Sequence, residues 1–386
     1  MSELQELLTR GVANIIPNRK ELEKKLSSGE KINIYLGIDP TATNIHLGHA
    51  VSLRKLKKFA ELGHNVTFLV GDFTAKIGDT SDKETERPQL SDEQIKENLK
   101  TYKQQAGKII DFDKVQIRFN SEWLSRLTFE ETIRLIGKFS LNDFISRELI
   151  KKRLNEGKSV GLLETIYPIM QGYDSQTLDT DLQIGGTDQT FNMQAGRALM
   201  KGKKESFVMT TEFLSGTDGR KMSKTWGNAI WLTDSPEDMF GKVMSIKDDV
   251  IIEYFILATD VPMDTIKELK EDVKKNPMTL KIDLANKIVT EIYGGEAAHS
   301  AQLNFQKTVQ NKEIPTDIKE LSATKDTLML DFMVENKLAE SKSRAKSLID
   351  QGGVVFDDNK IDVFTKIEKS GILKVGKRNF VKVNID

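Results

Sequence analysis

Ile32-Asn-Ile-Tyr-Leu-Gly-Ile-Asp-Pro-Thr41, with His46-Leu-Gly-His49 just beyond it, is the stretch on which the fold turns. Its apolar alternation predicts a strand that ends in Asp-Pro-Thr. Leu47, Val51, Leu53, Leu56 and Phe59 then recur at near-helical spacing, which predicts a helix from about His46 to Leu62 closed by Gly63. A second strand follows at Val66-Thr-Phe-Leu-Val-Gly71. Strand, helix and strand in this order form a unit of the kind that binds nucleotides, because the free N–H groups and dipole of a helix N-terminus attract phosphate. His46 and His49 stand at that N-terminus and are two of only four histidines in the chain. Two histidines three positions apart also suit a solvated helix cap, so the pair alone decides nothing.

A second segment, far along the chain, changes that weighting. Ser215-Gly-Thr-Asp-Gly-Arg-Lys-Met-Ser-Lys-Thr-Trp-Gly-Asn228 has glycine on both sides of two lysines, Lys221 and Lys224. A mobile loop that brings two ammonium groups to a reacting phosphorus and a departing pyrophosphate has this composition, although a basic surface loop has it too. Between the two segments, Tyr167, Gln171 and Asp174 are spaced i, i+4, i+7 and fall on one helix face. Burying an amide and a carboxylate there is costly unless they have partners, and the alternative is a core tyrosine with a capping aspartate.

With these residues in view, the chain resembles the class I aminoacyl-tRNA synthetases, whose signatures are His-Ile-Gly-His and Lys-Met-Ser-Lys-Ser. More narrowly it resembles the bacterial tyrosyl-tRNA synthetases over nearly its whole length. The resemblance implies an α/β fold with a Rossmann-like nucleotide-binding catalytic domain over residues 1–229. A helical anticodon-region domain would follow over 230–322, and a small α+β RNA-binding domain over 325–386. It implies that tyrosine is activated with ATP to tyrosyl-adenylate and then passed to the terminal adenosine of its tRNA. Tyr35, Thr74, Asp79, Tyr167, Gln171, Asp174 and Gln189 are then the matches to the tyrosine site. Asp174 and Tyr35 would meet the phenol oxygen, and Asp79, Tyr167 and Gln171 the ammonium group. Phenylalanine would leave the carboxylate of Asp174 without its donor. Gly37, Asp39, His46, Gly48, His49, Ser52, Gly186, Asp188, Lys221, Met222, Ser223 and Lys224 match the ATP site. Thr41, His46, His49, Lys83, Arg87, Lys221, Lys224 and Thr225 match the groups that stabilise the transferring phosphate. Mg2+ is expected to arrive with the nucleotide, and no protein-held metal is expected.

The chain departs from the family pattern in four places: Leu47 replaces isoleucine in the first signature, and Thr225 replaces serine in the second. Leu36 stands where some members carry a small polar residue that bonds the ribose, and Thr190 stands where some have a bulky aromatic.

Beyond about Thr327 the pattern changes again. Leu328 to Ala339 and Ser341 to Ile349 read as two helices, the second capped by serine, and Val354-Val-Phe, Gly371-Ile-Leu-Lys-Val-Gly and Asn379-Phe-Val-Lys-Val-Asn read as short strands. Lys342, Arg344 and Lys346 form a basic stripe, and Lys374, Lys377 and Arg378 a later basic turn; either could be no more than a solvated face. The stretch resembles the small RNA-binding domain of ribosomal small-subunit protein four, which implies phosphate contacts to tRNA through Lys342, Arg344, Lys346, Lys377 and Arg378. Ahead of it, Ser235 to Met244, Ile251 to Leu257 and Leu280 to Val289 read as helices, and Lys312 to Thr324 reads as a linker where periodicity weakens around Pro315.

Composition is consistent with these readings. The chain has 386 residues, enough for two or three domains, and a net charge of only −1, so RNA binding must rest on local patches. The absence of cysteine excludes disulfides and thiolate metal sites. No apolar run approaches a membrane span, and Met1-Ser-Glu-Leu-Gln-Glu is unlike a signal peptide, so a cytoplasmic location is expected, with a homodimer expected from the resemblance. Two other readings stay open: a tryptophanyl synthetase, which shares both signatures, and a synthetase-derived RNA-binding protein without charging activity.

Overall fold

The computed structural model describes residues 2–41, 43–79, 90–145, 147–307, 319–357, 359–376 and 379–385. Two compact units divide it, Met1–Ala298 and His299–Asp386. In the first, strands β1 (Val12–Ile16) and β2 (Asn33–Ile38) precede helix α1 (Leu47–Glu61), whose N-cap is His46. Leu47, Val51, Leu53, Leu56 and Phe59, the residues whose spacing predicted this helix, are all buried. β3 (Asn65–Val70) then pairs parallel with β2, from Asn33 opposite Asn65 to Ile38 opposite Val70.

β4 (Val115–Phe119), β5 (Leu182–Gly186) and β6 (Phe207–Thr211) complete a six-stranded sheet in the order β1-β6-β5-β2-β3-β4. β2 to β6 are mutually parallel, and β1 lies antiparallel on the β6 edge. From β2 the chain builds outward through β3 and β4, then returns to β5 on the other side. The order therefore reverses between β2 and β5. In open parallel sheets a crevice forms at that reversal, outside the carboxyl ends of the strands. Asp39, Thr74, Asn120 and Asp188 all lie just past the ends of β2, β3, β4 and β5 respectively.

Helices α2 (Phe129–Ile136) and α3 (Leu162–Thr177) come between β4 and β5, and α4 (Thr190–Met200) between β5 and β6. α3 and α4 pack closely because glycine stands at their contact. A Cβ on Gly172 would lie 3.1 Å from the Ala195 backbone, and one on Gly196 would lie 2.5 Å from Ser175 Oγ and 2.6 Å from Gln183 Nε2. After the sheet come α5 (Pro236–Met244), α6 (Ile251–Ala258) and α7 (Pro277–Tyr293), with α5 and α6 both against α7. Ser235 caps α5 by accepting the Asp238 N–H at 3.1 Å.

The second unit carries α8 (Met329–Glu335), α9 (Lys342–Asp350) and a five-stranded sheet. Its strands are β7 (Lys319–Ala323), β8 (Val354–Phe356), β9 (Asn359–Lys360), β10 (Gly371–Val375) and β11 (Asn379–Ile385), in the order β7-β11-β10-β8-β9. Met329, Phe332, Ala345, Ile349, Leu373 and Val383 are among its core residues. Lys319 to Ala323 lies in the stretch read as linker, yet it forms strand β7 parallel to β11. As an edge strand it turns only Leu321 and Ala323 inward, too few apolar positions to register as a period. Among the described residues no helix is long and apolar enough to cross a membrane.

The helix contact at Gly196 gives a direct test. Gly196→Ala should lower stability by about 1–3 kcal/mol through overpacking, read as a reduced melting temperature, while Lys203→Ala, in the exposed turn after α4, should change it by less than about 0.5 kcal/mol.

Candidate active site

Every sequence-predicted residue of the tyrosine and ATP sites lines one cleft of about 730 Å3, at the carboxyl ends of the parallel strands. That set includes Tyr35, Gly37, Asp39, Thr41, His46, Gly48, His49, Ser52, Thr74 and Asp79 from the first strands and helix. It also includes Tyr167, Gln171, Asp174, Gly186, Asp188 and Gln189 from α3 and the β5 end, and Lys221, Met222, Ser223, Lys224 and Thr225 from the lysine loop. Lys83 and Arg87 lie outside the described residues.

Asp174 forms the buried floor, 3% exposed. Its Oδ1 accepts the Trp123 Nε1–H at 2.7 Å and its Oδ2 accepts the Asn120 amide at 3.2 Å. Burial pushes the carboxyl up to about 8, although the Trp123 and Asn120 donors both pull the other way. Tyr35 is buried beside it, its hydroxyl 2.9 Å from Ser175 Oγ and donating to Gln183 Oε1 at 3.1 Å. Burial, then the Asp174 carboxyl, push that phenol upward, so it is uncharged at any ordinary pH.

Asp39 joins two groups that the sequence kept apart. Its Oδ1 accepts from Thr74 Oγ1 at 2.7 Å and its Oδ2 from the Tyr167 hydroxyl at 2.9 Å. One carboxylate just past β2 thus holds a residue from beyond β3 and one from α3. Asn120 donates to Thr74 Oγ1 as well, at 3.0 Å, so the network runs continuously from Asp39 to Asp174. Across the cleft, Gln189 donates to Asp79 Oδ2 at 2.7 Å, and Asn192 donates to Gln189 Oε1 at 3.2 Å.

At the start of α1 the imidazoles of His46 and His49 stack with centroids 3.8 Å apart, and His49 Nδ1 accepts the His46 backbone N–H at 3.3 Å. Burial, with His49 and Lys221 adding to it, holds the His46 imidazolium far below its ordinary range; burial and then Lys221 bring His49 down to about 4. Both rings are therefore neutral at pH 7. His46 Nδ1 is buried and makes no hydrogen bond among the described residues.

The lysine loop reaches the same place by backbone pairing. Leu47 N–H donates to the Ile230 carbonyl at 2.9 Å, and Leu232 N–H to the Ile45 carbonyl at 2.9 Å. These bonds fasten the chain just after the loop to the start of α1. Lys221 then points inward, its Nζ 3.5 Å from Asp188 Oδ2 and 3.7 Å from the Phe213 ring centroid, while Lys224 is exposed. The cleft can therefore hold a phenol at its floor and present amide, imidazole and ammonium groups towards a phosphate chain at its mouth.

Sequence reasoning missed Asn120 and Trp123, which support Asp174 from more than fifty positions away. The available signal was their place directly after the short alternating run Val115-Gln-Ile-Arg-Phe119, which forms β4. It also left out Ser175 and Gln183, the partners of Tyr35, although Ser175 directly follows Asp174. Lys342, Arg344 and Lys346 lie exposed on α9 in the second unit, where Lys342 pairs with Asp331 at 2.7 Å. Lys377 and Arg378 lie outside the described residues.

Comparison with known proteins bears on this geometry. Residues 27–310 match the family model described as tRNA synthetases class I (W and Y). A tyrosine–tRNA ligase of Thermotoga maritima is 41% identical over 99% of this chain and 97% of its own length. One of Dehalococcoides mccartyi is 42% identical, over 99% and 98%. Among solved structures, a C-terminally truncated mitochondrial tyrosyl-tRNA synthetase of Coccidioides posadasii superposes with a TM-score of 0.65 at 26% identity, covering 78% of this chain and 91% of its own. A cleft built from both signatures, at the reversal of a parallel sheet, and a family match across that cleft lead to one assignment: the chain belongs to the class I tRNA synthetases and, among them, to the tyrosine–tRNA ligase family.

Proposed function

We propose that this chain activates L-tyrosine with ATP and transfers it to the tRNA for tyrosine, using the cleft residues as follows. The observation that carries the amino-acid choice is Asp174, a buried carboxyl held by Trp123 and Asn120 at the pocket floor. The phenol O–H of tyrosine donates to it, beside Tyr35. Tryptophan offers no hydroxyl there, and phenylalanine offers no donor at all, which leaves a desolvated acceptor unsatisfied. Asp79, Tyr167 and Gln171 receive the ammonium group, with Gln189 bonded to Asp79 and with Thr74 and Asp39 holding the Tyr167 ring in place.

The tyrosine carboxylate then attacks the α-phosphorus of ATP. A new P–O bond to the carboxylate forms as the bond to the pyrophosphate oxygen breaks. No covalent enzyme intermediate is involved, so the chain contributes position and charge. Gly37, Asp39, Gly48, Ser52, Gly186, Asp188, Met222 and Ser223 bind the adenosine side. Thr41 and the neutral His46 and His49 offer hydrogen bonds to the phosphates. Lys221, Lys224 and Thr225 neutralise the departing pyrophosphate, with Lys83 and Arg87 as a second basic pair and Mg2+ carried by the nucleotide. A ribose hydroxyl of the tRNA's terminal adenosine next attacks the tyrosyl carbonyl and AMP leaves. Lys342, Arg344, Lys346, Lys377 and Arg378 contact tRNA phosphates from a C-terminal domain at 325–386, which follows in sequence a catalytic domain at 1–229 and a helical one at 230–322.

The enzyme works as a cytoplasmic homodimer in this reading. Support comes from α2, where Phe129, Ile133 and Ile136 recur at i, i+4, i+7 and are 81%, 52% and 37% exposed. Leu162 and Leu163, at the start of the helix that bears Asp174, extend the exposed apolar surface. A face of this composition is covered by a partner, in this case a second copy.

Exchange of labelled pyrophosphate into ATP tests the activity: tyrosine should support it and tryptophan and phenylalanine should not, whereas exchange with tryptophan would move the chain to the sister specificity. Lys224→Ala should lower the exchange kcat by about 100-fold with tyrosine affinity within about twofold; a parallel loss of tyrosine binding would remove Lys224 from the pyrophosphate clamp. Because burial pushes the Asp174 carboxyl up to about 8 and the phenol donor favours its ionised form, tyrosine binding should release protons below that pH, tighten as pH rises towards it and level off above it. Calorimetry in buffers of different ionisation heat would detect this, and proton uptake, or release that persists in Asp174→Asn, would refute it. Ile133→Glu should convert a dimer of 43.6 kDa chains to monomers in sedimentation, and a monomeric wild type would dispose of the interface.

A further inference from the structure

One buried amide ties down the lysine loop. Asn228 is 2% exposed. Its Oδ1 accepts the Ser223 N–H at 2.8 Å, and its Nδ2 donates to Asp218 Oδ1 at 2.7 Å and to the Lys221 carbonyl at 3.2 Å. Its own carbonyl accepts the Thr217 N–H at 3.0 Å. The amide fits only because residue 216 is glycine: a Cβ there would lie 2.3 Å from Asn228 Cγ. On its other side the chain is fixed, since Ile230 and Leu232 pair with Leu47 and Ile45 at the start of α1. Asn228 is therefore the residue at which a segment fastened to the histidine helix becomes the loop that carries the lysines.

Lysine side chains have many rotamers, so where an ammonium group can reach depends on where its backbone is held. Asn228 grips the backbone at Lys221 and at Ser223, on both sides of Met222, itself buried. Serine or alanine at 228 could not span all three partners. We propose that Asn228 is a positioning residue for adenylation, which sets the reach of Lys221 and Lys224 towards the phosphates without touching substrate. That role rests on the tyrosine–tRNA ligase activity proposed for the cleft.

The test compares wild type, Asn228→Ala, Asn228→Asp and the double variant Asn228→Asp with Asp218→Asn. Tyrosine-dependent pyrophosphate exchange, tyrosine affinity, thermal melting and limited trypsin digestion after Lys221 and Lys224 are measured on the full chain. Both single variants should lose about 10-fold or more in exchange kcat, as expected for two or more lost hydrogen bonds, with tyrosine affinity within about twofold. Trypsin should cut the loop faster while melting is unchanged. In the double variant amide and carboxylate exchange places across the 218–228 bond, so part of the rate should return. Unimpaired kcat in both single variants, or a loss matched by weaker tyrosine binding and lower melting temperature, would overturn the assignment. No exchange in wild type would instead overturn the ligase activity on which it rests.

Discussion

Two backbone hydrogen bonds, Leu47 to Ile230 and Leu232 to Ile45, are the constraint on which the cleft depends. They fasten residues separated by most of the catalytic region, so that a helix N-terminus with two imidazoles and a loop with two lysines face one space. Neither half is a phosphate site of much strength alone. A helix end contributes a few free N–H groups and a partial charge, and a surface lysine contributes a screened one. Brought together above a partly desolvated cleft, both would face a single bound anion, for which the Coulomb attraction is larger there than in open water.

The opposite end of the cleft depends on a different cost. A carboxyl buried as deeply as that of Asp174 is destabilising unless donors meet it, and Trp123 and Asn120 do so from the segment after β4. With both oxygens engaged from below, the remaining acceptor capacity points to where a ligand hydroxyl can come. The same logic runs through Asp39, which receives Thr74 and Tyr167 and so links the end of β2 to the segment after β3 and to α3. Rigid, satisfied polar contacts of this kind suit a site that reads a ligand's polar groups by position.

Much of this was legible in the sequence for physical reasons. The strand, helix and strand at residues 32–71 alternate and repeat at the two periods that backbone geometry imposes, and both signatures sit where a parallel sheet exposes its strand ends. Tyr167, Gln171 and Asp174 could be placed on one face because helical spacing is local. Asn120, Trp123 and Asn228 could not, since their partners lie across the fold or inside a loop, where no period links them. Strand β7 escaped for a related reason: an edge strand needs only one apolar face and this one shows two inward side chains. The order reversal between β2 and β5, which creates the crevice, depends on which strands pair, and pairing is not written in any one segment.

Whether the Asp174 floor and the phosphate mouth serve one ligand is the question on which the site's function turns. Calorimetric titration with non-hydrolysable mimics of tyrosyl-adenylate and phenylalanyl-adenylate asks it directly. If they do, the tyrosyl mimic binds far more tightly than either tyrosine or AMP, and removing its phenol hydroxyl weakens binding by at least about 100-fold in wild type but by much less in Asp174→Asn. Equal affinity for the two mimics in wild type would contradict a floor that reads the phenol.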